Sequence, residues 1–367
     1  MRIRFGLATA LAIHCGVFTA IALGQTVNAE FVNGVINASL VPGTGDIGAK
    51  INSAMGLVAG GTIMVPNGIY QFDTTIQPPA NIGTGVTVDC GSPNTVLEYN
   101  GTADAIYIQD ERAASIVFRN CTILASSTSG PSANGVHIQA SAGVSFQNCV
   151  VENFKKYGIY NQGAIGSSFL NVNAISNGIN LVNSPDISSS ISTNAMRWVG
   201  GSLQYGVTTN YWESPNSGGR DQLNIIESVW ELSSAVPQAI IEACDSCTIK
   251  DSYIEYIGVS GESFPTMIVG NALGSGYGSG TSQSPKHLRF ENNLTFFPGS
   301  SLGYEVFNVS NLTLDDLDEQ GLPKYIIDFS STPTLGITNV NVIAGLFNWS
   351  VMAYLNSQST YFGPFNN

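Results

Sequence analysis

Apolar and polar residues alternate along this chain over runs of only three to six positions, and each run ends at a polar residue followed by a small one. The pattern is clearest in VFRNCTIL, SFQNCVVENF, SFLNVNAIS, NIIESVWEL and TIKDSYIEY, which recur at spacings of 23 to 29 residues. Between them lies a second short run, usually opened by Gly: GVHIQA, GIYNQG, GINLVN, GVTTNY and AIIEAC. Period-two alternation in short runs predicts strands, and a repeat of that length predicts a solenoid whose coils stack. Asn148-Cys149 repeating Asn120-Cys121 after 28 residues fits one coil laid on the next. Coils stack ~4.8 Å apart, so an Asn at a tight turn hydrogen-bonds its copy above, and the following Cys points inward, where Ser228 and Ser252 stand later. The spacing of Cys121 and Cys149 permits a disulfide without requiring it. A β-sandwich shows the same frequent turns but gives the Asn-Cys pair no reason to recur once per coil.

One segment breaks the strand grammar. Asp46 is a helix N-cap residue, Ile47, Ile51, Met55 and Val58 share one helical face, and Gly60-Gly61 ends the segment. A helix there plugs the open end of an apolar solenoid. The predicted fold is therefore all-β: a single-stranded right-handed parallel β-helix over residues 30–310 with a capping helix near 46–58. The grammar decays after about residue 300. Residues 311–367 are expected to form a C-terminal cap in which the apolar LFNWSVMAYL, 346–355, covers the upper end.

GDIGAKINSAMGLVAGGTIMVPNGIY, residues 45–70, resembles the entrance motif of the pectate-lyase-like superfamily. It is most similar to the rhamnogalacturonase/epimerase-like domain, in which a capping helix precedes a Gly-Gly-Thr strand and a Pro-x-Gly-x-Tyr turn. The resemblance implies a right-handed β-helix and a link to extracellular polysaccharides. It does not fix a reaction, because this fold carries hydrolases, lyases, epimerases and adhesins. The chain has no Asn-Thr-Asp, His-Gly or Arg-Ile-Lys block of the polygalacturonase branch. Nor has it the Trp-x-Asp-His or Arg-x-Pro-x-x-Arg pattern of the calcium-dependent pectate lyases.

The N-terminal segment leads us to expect an exported protein. Arg2 and Arg4 precede an apolar run, Phe5 to Leu23, with small-residue cleavage options after Gly24 or Ala29, which predicts a signal peptide over residues 1–29. An uncleaved anchor is the alternative, weakened by His14, Gly16 and Thr19. The net charge of −13 becomes more negative once the leader's arginines are lost, so neither nucleic acid nor an anionic membrane is an expected partner. Five of the six cysteines follow the leader, an odd number that cannot all pair. CDSC at 244–247 has no second CxxC or His cluster to complete a zinc or redox site and reads as a local disulfide or plain thiols. No cofactor is expected, and no calcium site is recognisable.

Three constellations are candidates for chemistry. Glu152, Gln204, Glu231 and Glu255 fall in one outward column. Glu231 and Glu255 occupy consecutive coils, so their backbones are ~4.8 Å apart, close to the ~5–5.5 Å between the carboxyl groups of a retaining glycosidase. Glu152 lies three coils below Glu231. The second constellation is an outward row of Tyr107, His137, Tyr160, Asn180 and Thr208, expected to offer stacking surfaces to a sugar chain. The third is the loop NYWESPNSGGRDQ, 210–222, where Trp212 and Arg220 are candidate substrate-binding residues and Glu213 and Asp221, with nearby Glu242, candidate acids and bases. Lys155-Lys156, a flexible stretch at 270–285 and seven Asn-x-Ser/Thr sequons complete the inventory. The expected function is a secreted polysaccharide-active enzyme, hydrolase or lyase, working by carboxylate acid/base chemistry. The alternative is a non-catalytic carbohydrate-binding or adhesive β-helix.

Overall fold

The computed structural model describes residues 17–343 except 23–24, 33, 43–44, 59, 80–84, 110–114, 187, 215–221, 258–264, 271–284, 297–301, 308, 316–317, 321–324 and 330–336, with side chains described within 34–315. From Val86–Asp89 onward short strands feed three sheets in rotation, so sequence-adjacent strands lie in different sheets and strands one coil apart pair in parallel. Among the described residues the sheets hold 14, 10 and 9 strands. This is the predicted parallel β-helix, and its interior is filled by the inward member of each alternating pair. Phe118, Phe146, Phe169 and Trp198 stack in one such column, with ring centroids 5.0, 5.9 and 5.4 Å apart. All four are fully buried.

The turn residues behave as the repeat predicts. Asn120, Asn148 and Asn171 adopt left-handed conformations with φ of 58°, 51° and 51°, which Asn tolerates because its short amide bonds locally. Their amides form a ladder along the outside: Asn171 donates to Asn148 at 3.0 Å, Asn148 to Asn120 at 3.3 Å, and Asn120 to Asp89 at 2.9 Å. A second, buried ladder runs up a corner of the solenoid. There Asn180 donates to Asn210 and Asn210 to Gln238, each at 2.6 Å.

Ile47–Leu57 is the helix, and it buries Ile47, Ile51, Ala54 and Met55 against the first coils. The Asp46 carboxylate accepts from Ala49 N at 2.9 Å, Asp73 N at 2.7 Å and Thr74 N at 2.9 Å, so the cap also fastens the helix to the first coil. Asn52 adds a reciprocal pair, donating to Thr75 O and accepting from Gln77 N, both at 2.8 Å. Gly48 is obligatory at this contact, since a Cβ there would meet Thr74 O at 2.3 Å.

Three features add to or refine the sequence reading. Cys121 pairs with Cys90, one coil below, and leaves Cys149 a buried thiol; Cys244 and Cys247 form the local disulfide. The regular coils run past residue 310: Val309–Asp315, Asp318–Gln320, Tyr325–Phe329 and Ile337–Ile343 continue the three sheets in register, although their sequences have lost the Asn-Cys grammar. Parallel pairing uses backbone groups, so the coils continue without that dipeptide. Val17–Ala22 and Gln25–Val32 are antiparallel strands that extend the 14-stranded sheet; the leader expected over residues 1–29 covers the first and overlaps the second. Residues 1–16 and 346–355 lie outside the described residues. Among the described residues no helix is long and apolar enough to cross a membrane.

Candidate functional site

Three consecutive coils present the same outward pair, a ring followed two residues later by glutamine: Tyr107 and Gln109, His137 and Gln139, Tyr160 and Gln162. The rings are paired in register, and so are the glutamines. Tyr107 and His137 have centroids 5.0 Å apart, His137 and Tyr160 4.7 Å apart with planes inclined by 25°. The rings therefore stack on one another along the solenoid axis. His137 has both faces occupied and turns an edge outward, so the row does not expose the successive open ring faces that the sequence suggested.

Each ring also reaches diagonally to the next coil. Tyr107 Oη donates to Gln139 Oε1, and His137 Nε2 lies 2.9 Å from Gln162 Oε1. Gln139 donates in turn to Asp186 Oδ1 at 3.3 Å, while Ser188 and Ser189 hydroxyls donate to the same carboxylate. On its other side His137 Nδ1 is 2.7 Å from Asp104 Oδ2, and Asp104 Oδ1 accepts from the side chain of Asn134 at 2.7 Å. Lys156 Nζ stands 5.0 Å from the Tyr157 ring centre and 5.8 Å from that of Tyr160, within cation–π range. Burial pushes the Tyr160 phenol above its usual range, and the carboxylates of Asp186 and Asp104 add to the rise. Burial likewise raises Tyr157. Both phenols thus stay protonated as donors at neutral pH. For Asp186, burial alone would raise the carboxyl, but hydrogen bonds from Ser189, Ser188 and Gln139 outweigh it and hold the group ionised.

Asp104, Gln109, Gln139, Gln162 and Asp186 were missed by the sequence reading. AIYIQ, GVHIQ and GIYNQ, at 105–109, 135–139 and 158–162, carried the signal for the glutamines. Nothing local marks Asp104 or Asp186, which meet the row only through the coiling.

Above Tyr160 the row departs from expectation. The column continues through Val182, Trp212, Ile240 and Ile268, not through Asn180 and Thr208. The strand Ile179–Ser184 pairs Ile179 with Tyr157, two residues earlier than alignment on the glycines implies. Asn180 is consequently buried in the corner ladder, and Thr208 lies in the preceding turn. Trp212 joins the ring column but packs against Ile240, Ile268 and Phe307, and its indole donates to Glu242 Oε2 at 2.7 Å.

The acid/base set proposed for the 210–222 loop does not assemble on the surface. Glu213 ends the strand Thr209–Glu213 pointing inward, wholly buried, with Asn183 donating to its carboxylate at 2.9 Å and Tyr211 Oη donating to the same oxygen. Strand alternation is the reason: Trp212 takes the outward position and its neighbour must turn in. Glu242 is wholly buried beside the Trp212 indole. Arg220 and Asp221 lie outside the described residues.

The carboxylate column does form on the outer face of the ten-stranded sheet, through Glu152, Ile175, Gln204, Glu231 and Glu255. Glu231 accepts from Gln204 Nε2 and, at 3.1 Å, from Tyr205 Oη; Glu255 accepts from Tyr253 Oη at 2.7 Å. The hydrogen bond to Glu255 pushes the Tyr253 phenol up to about 12. This pair and the ring-and-glutamine row occupy different sheets, so they do not share one cleft. Among the described residues no group of three or more His, Cys, Asp or Glu side chains is placed to hold a metal ion.

No protein-family model matches the chain, and no curated protein sequence does. Solved structures do match. The enzymatically active domain of tailspike protein 2 from bacteriophage CBA120 aligns with 89% of this chain at a TM-score of 0.60 and 11% identity. The shared feature is the parallel β-helix. The chain spans 50% of that tailspike domain. PfbA, a surface adhesin of Streptococcus pneumoniae, aligns over 84% of this chain and 81% of its own, with a TM-score of 0.53 and 9% identity. The catalytic domain of a GH87 alpha-1,3-glucanase, solved with tetrasaccharides, aligns over 86% of this chain and 66% of its own, with a TM-score of 0.54 and 11% identity. Identities this low establish the shared β-helix and nothing finer.

Proposed function

We propose that this chain is an exported glycan-engaging β-helix protein that receives an extracellular polysaccharide along the outer face of its nine-stranded sheet, on the lattice of Tyr107, Gln109, His137, Gln139, Tyr160 and Gln162. The observation that carries the reading is the threefold repetition of a ring and a glutamine on consecutive coils. A polysaccharide is itself a repeat, and a repeated set of donors and acceptors matches successive residues of one chain. Amides, phenols and imidazole supply both donors and acceptors for sugar hydroxyls. The diagonal hydrogen bonds hold these groups in place before ligand arrives, which lowers the ordering cost of binding. A solved neighbour crystallised with tetrasaccharides is consistent with a fold used to hold glycans.

Catalysis is the second reading, and one observation favours it: Glu231 and Glu255 in register on adjacent coils, at the backbone spacing that suits two carboxylates of a retaining hydrolase. Glu213 and Glu242 have no part in it. A polysaccharide panel separates the two readings, with binding, reducing ends and unsaturated products measured together. Binding without product supports the glycan-holding reading. Product that disappears in both Glu231→Gln and Glu255→Gln supports catalysis, and neither binding nor product refutes both.

A further inference from the structure

The three coils that carry the ring-and-glutamine lattice each hold one cysteine, at the turn from the 14-stranded to the ten-stranded sheet. The coil entered at Cys90 leads to Tyr107, that at Cys121 to His137 and that at Cys149 to Tyr160. Cys90 and Cys121 are joined, with Cα atoms 5.1 Å apart. Cys149 is a free, fully buried thiol whose Sγ lies 3.3 Å from Gln147 O and 3.6 Å from Phe118 O. On either side of the intervening turn, Gln147 pairs with Arg119 and Val150 with Thr122. Cys149 therefore stands directly over Cys121 at one strand spacing, ~4.8 Å, inside the ~4.4–6.8 Å Cα range of a disulfide. Cys121 is flanked by one partner below and one above. The existing bond closes a separation of 31 residues and the other would close 28, so loop entropy favours neither appreciably.

We propose that Cys121 is shared between two disulfide registers, Cys90–Cys121 and Cys121–Cys149, that interconvert by thiol–disulfide exchange inside the solenoid. Cys149 gives up its proton and its thiolate attacks Cys121 Sγ. The Cys121–Cys149 bond forms as the Cys90–Cys121 bond breaks, and the electron pair leaves on Cys90, which takes up a proton. Nothing is oxidised or reduced overall. The crosslink moves from between the Tyr107 and His137 coils to between the His137 and Tyr160 coils, so the register decides which pair of neighbouring coils is covalently joined. Burial pushes the Cys149 thiol up to about 11, and the facing Asp89 carboxylate, paired with Arg119, adds to the rise. The attacking thiolate is therefore scarce at neutral pH, and exchange accelerates about tenfold per pH unit over the alkaline range below that value. The exchange belongs to the scaffold and stands whether or not a glycan binds the lattice.

The test follows thiol position in the oxidised full chain. Samples held at pH 7, 8 and 9 are quenched in acid, labelled with N-ethylmaleimide under denaturing acidic conditions and mapped by peptide mass spectrometry. Label should begin on Cys149 and appear on Cys90, at a rate rising about tenfold per pH unit. Label confined to Cys149 at every pH overturns the exchange. In Cys90→Ser refolded in a buffer of reduced and oxidised glutathione, the Cys121 and Cys149 peptides should be recovered crosslinked; recovery of both as free thiols overturns the second register.

Discussion

Replacing Asp46 by alanine removes one carboxylate that holds three backbone N–H groups on two elements. Loss of the N-cap bond to Ala49 costs about 1 kcal/mol. The bonds to Asp73 and Thr74 lie at partly exposed positions, and roughly 0.5–1 kcal/mol each is reasonable for them. The helix should therefore be loosened by about 2–3 kcal/mol. A solenoid's end coils open without the middle, so the sensitive assay is amide hydrogen exchange across Ile47–Leu57, where opening should become about 30- to 150-fold easier. Amides of the central coils should be unchanged. The same carboxyl carries a pH signature: burial raises it, but the bonds from Ala49, Thr74 and Asp73 outweigh that and set it below its ordinary value. A depressed folded-state pKa gives stability that is complete above the unfolded value near 3.9 and is lost as pH falls through the folded one. The acceleration caused by Asp46→Ala should thus shrink below about pH 4. Equal exchange in both proteins at pH 7 would refute the view that the cap fastens the helix to the first coil.

Asn148→Gly should lower urea stability by about 1 kcal/mol through loss of two ladder bonds, whereas Asn148→Val, strained at φ 51°, should cost at least about 1 kcal/mol more. Glu213→Ala leaves the Asn183 amide and Tyr211 hydroxyl without their buried acceptor and should destabilise by about 2–4 kcal/mol, with glycan binding per folded molecule unchanged; selective loss of binding would restore Glu213 to the site. Asp89 is likewise depressed, because hydrogen bonds from Asn120, Gly91 and Arg119 outweigh its burial. Its contribution is present above about pH 4 and lost below, so Asp89→Asn should flatten the acid limb of the stability profile.

What could be read beforehand follows from how local each signal is. The Asn120–Asn148 ladder was legible because a left-handed turn and an inward small residue impose the same dipeptide on these two consecutive coils. The helix was legible because cap, apolar face and terminating glycines all lie within 16 residues of sequence. The partner of Cys121 was not, because Cys90 precedes a longer turn without the dipeptide, and only the coiling brings it beneath. The row above Tyr160 failed for a related reason: a two-residue offset at Gly178 changes which residue continues the column. Glu213 was assigned to a loop although strand alternation runs through it and turns it into the core. Asp104 and Asp186 reach the lattice from neighbouring turns, a relation no local pattern carries.

The central claim is that the ring-and-glutamine lattice receives the glycan. Its most direct test takes a polysaccharide that binds the purified protein and measures affinity for the wild type, a Gln139→Ala/Gln162→Ala double variant and Glu231→Gln. We expect the double variant to lose at least tenfold in affinity at unchanged stability, with Glu231→Gln binding as the wild type does. Full affinity in the double variant, or loss confined to Glu231→Gln, would contradict the account and move the site to the ten-stranded face.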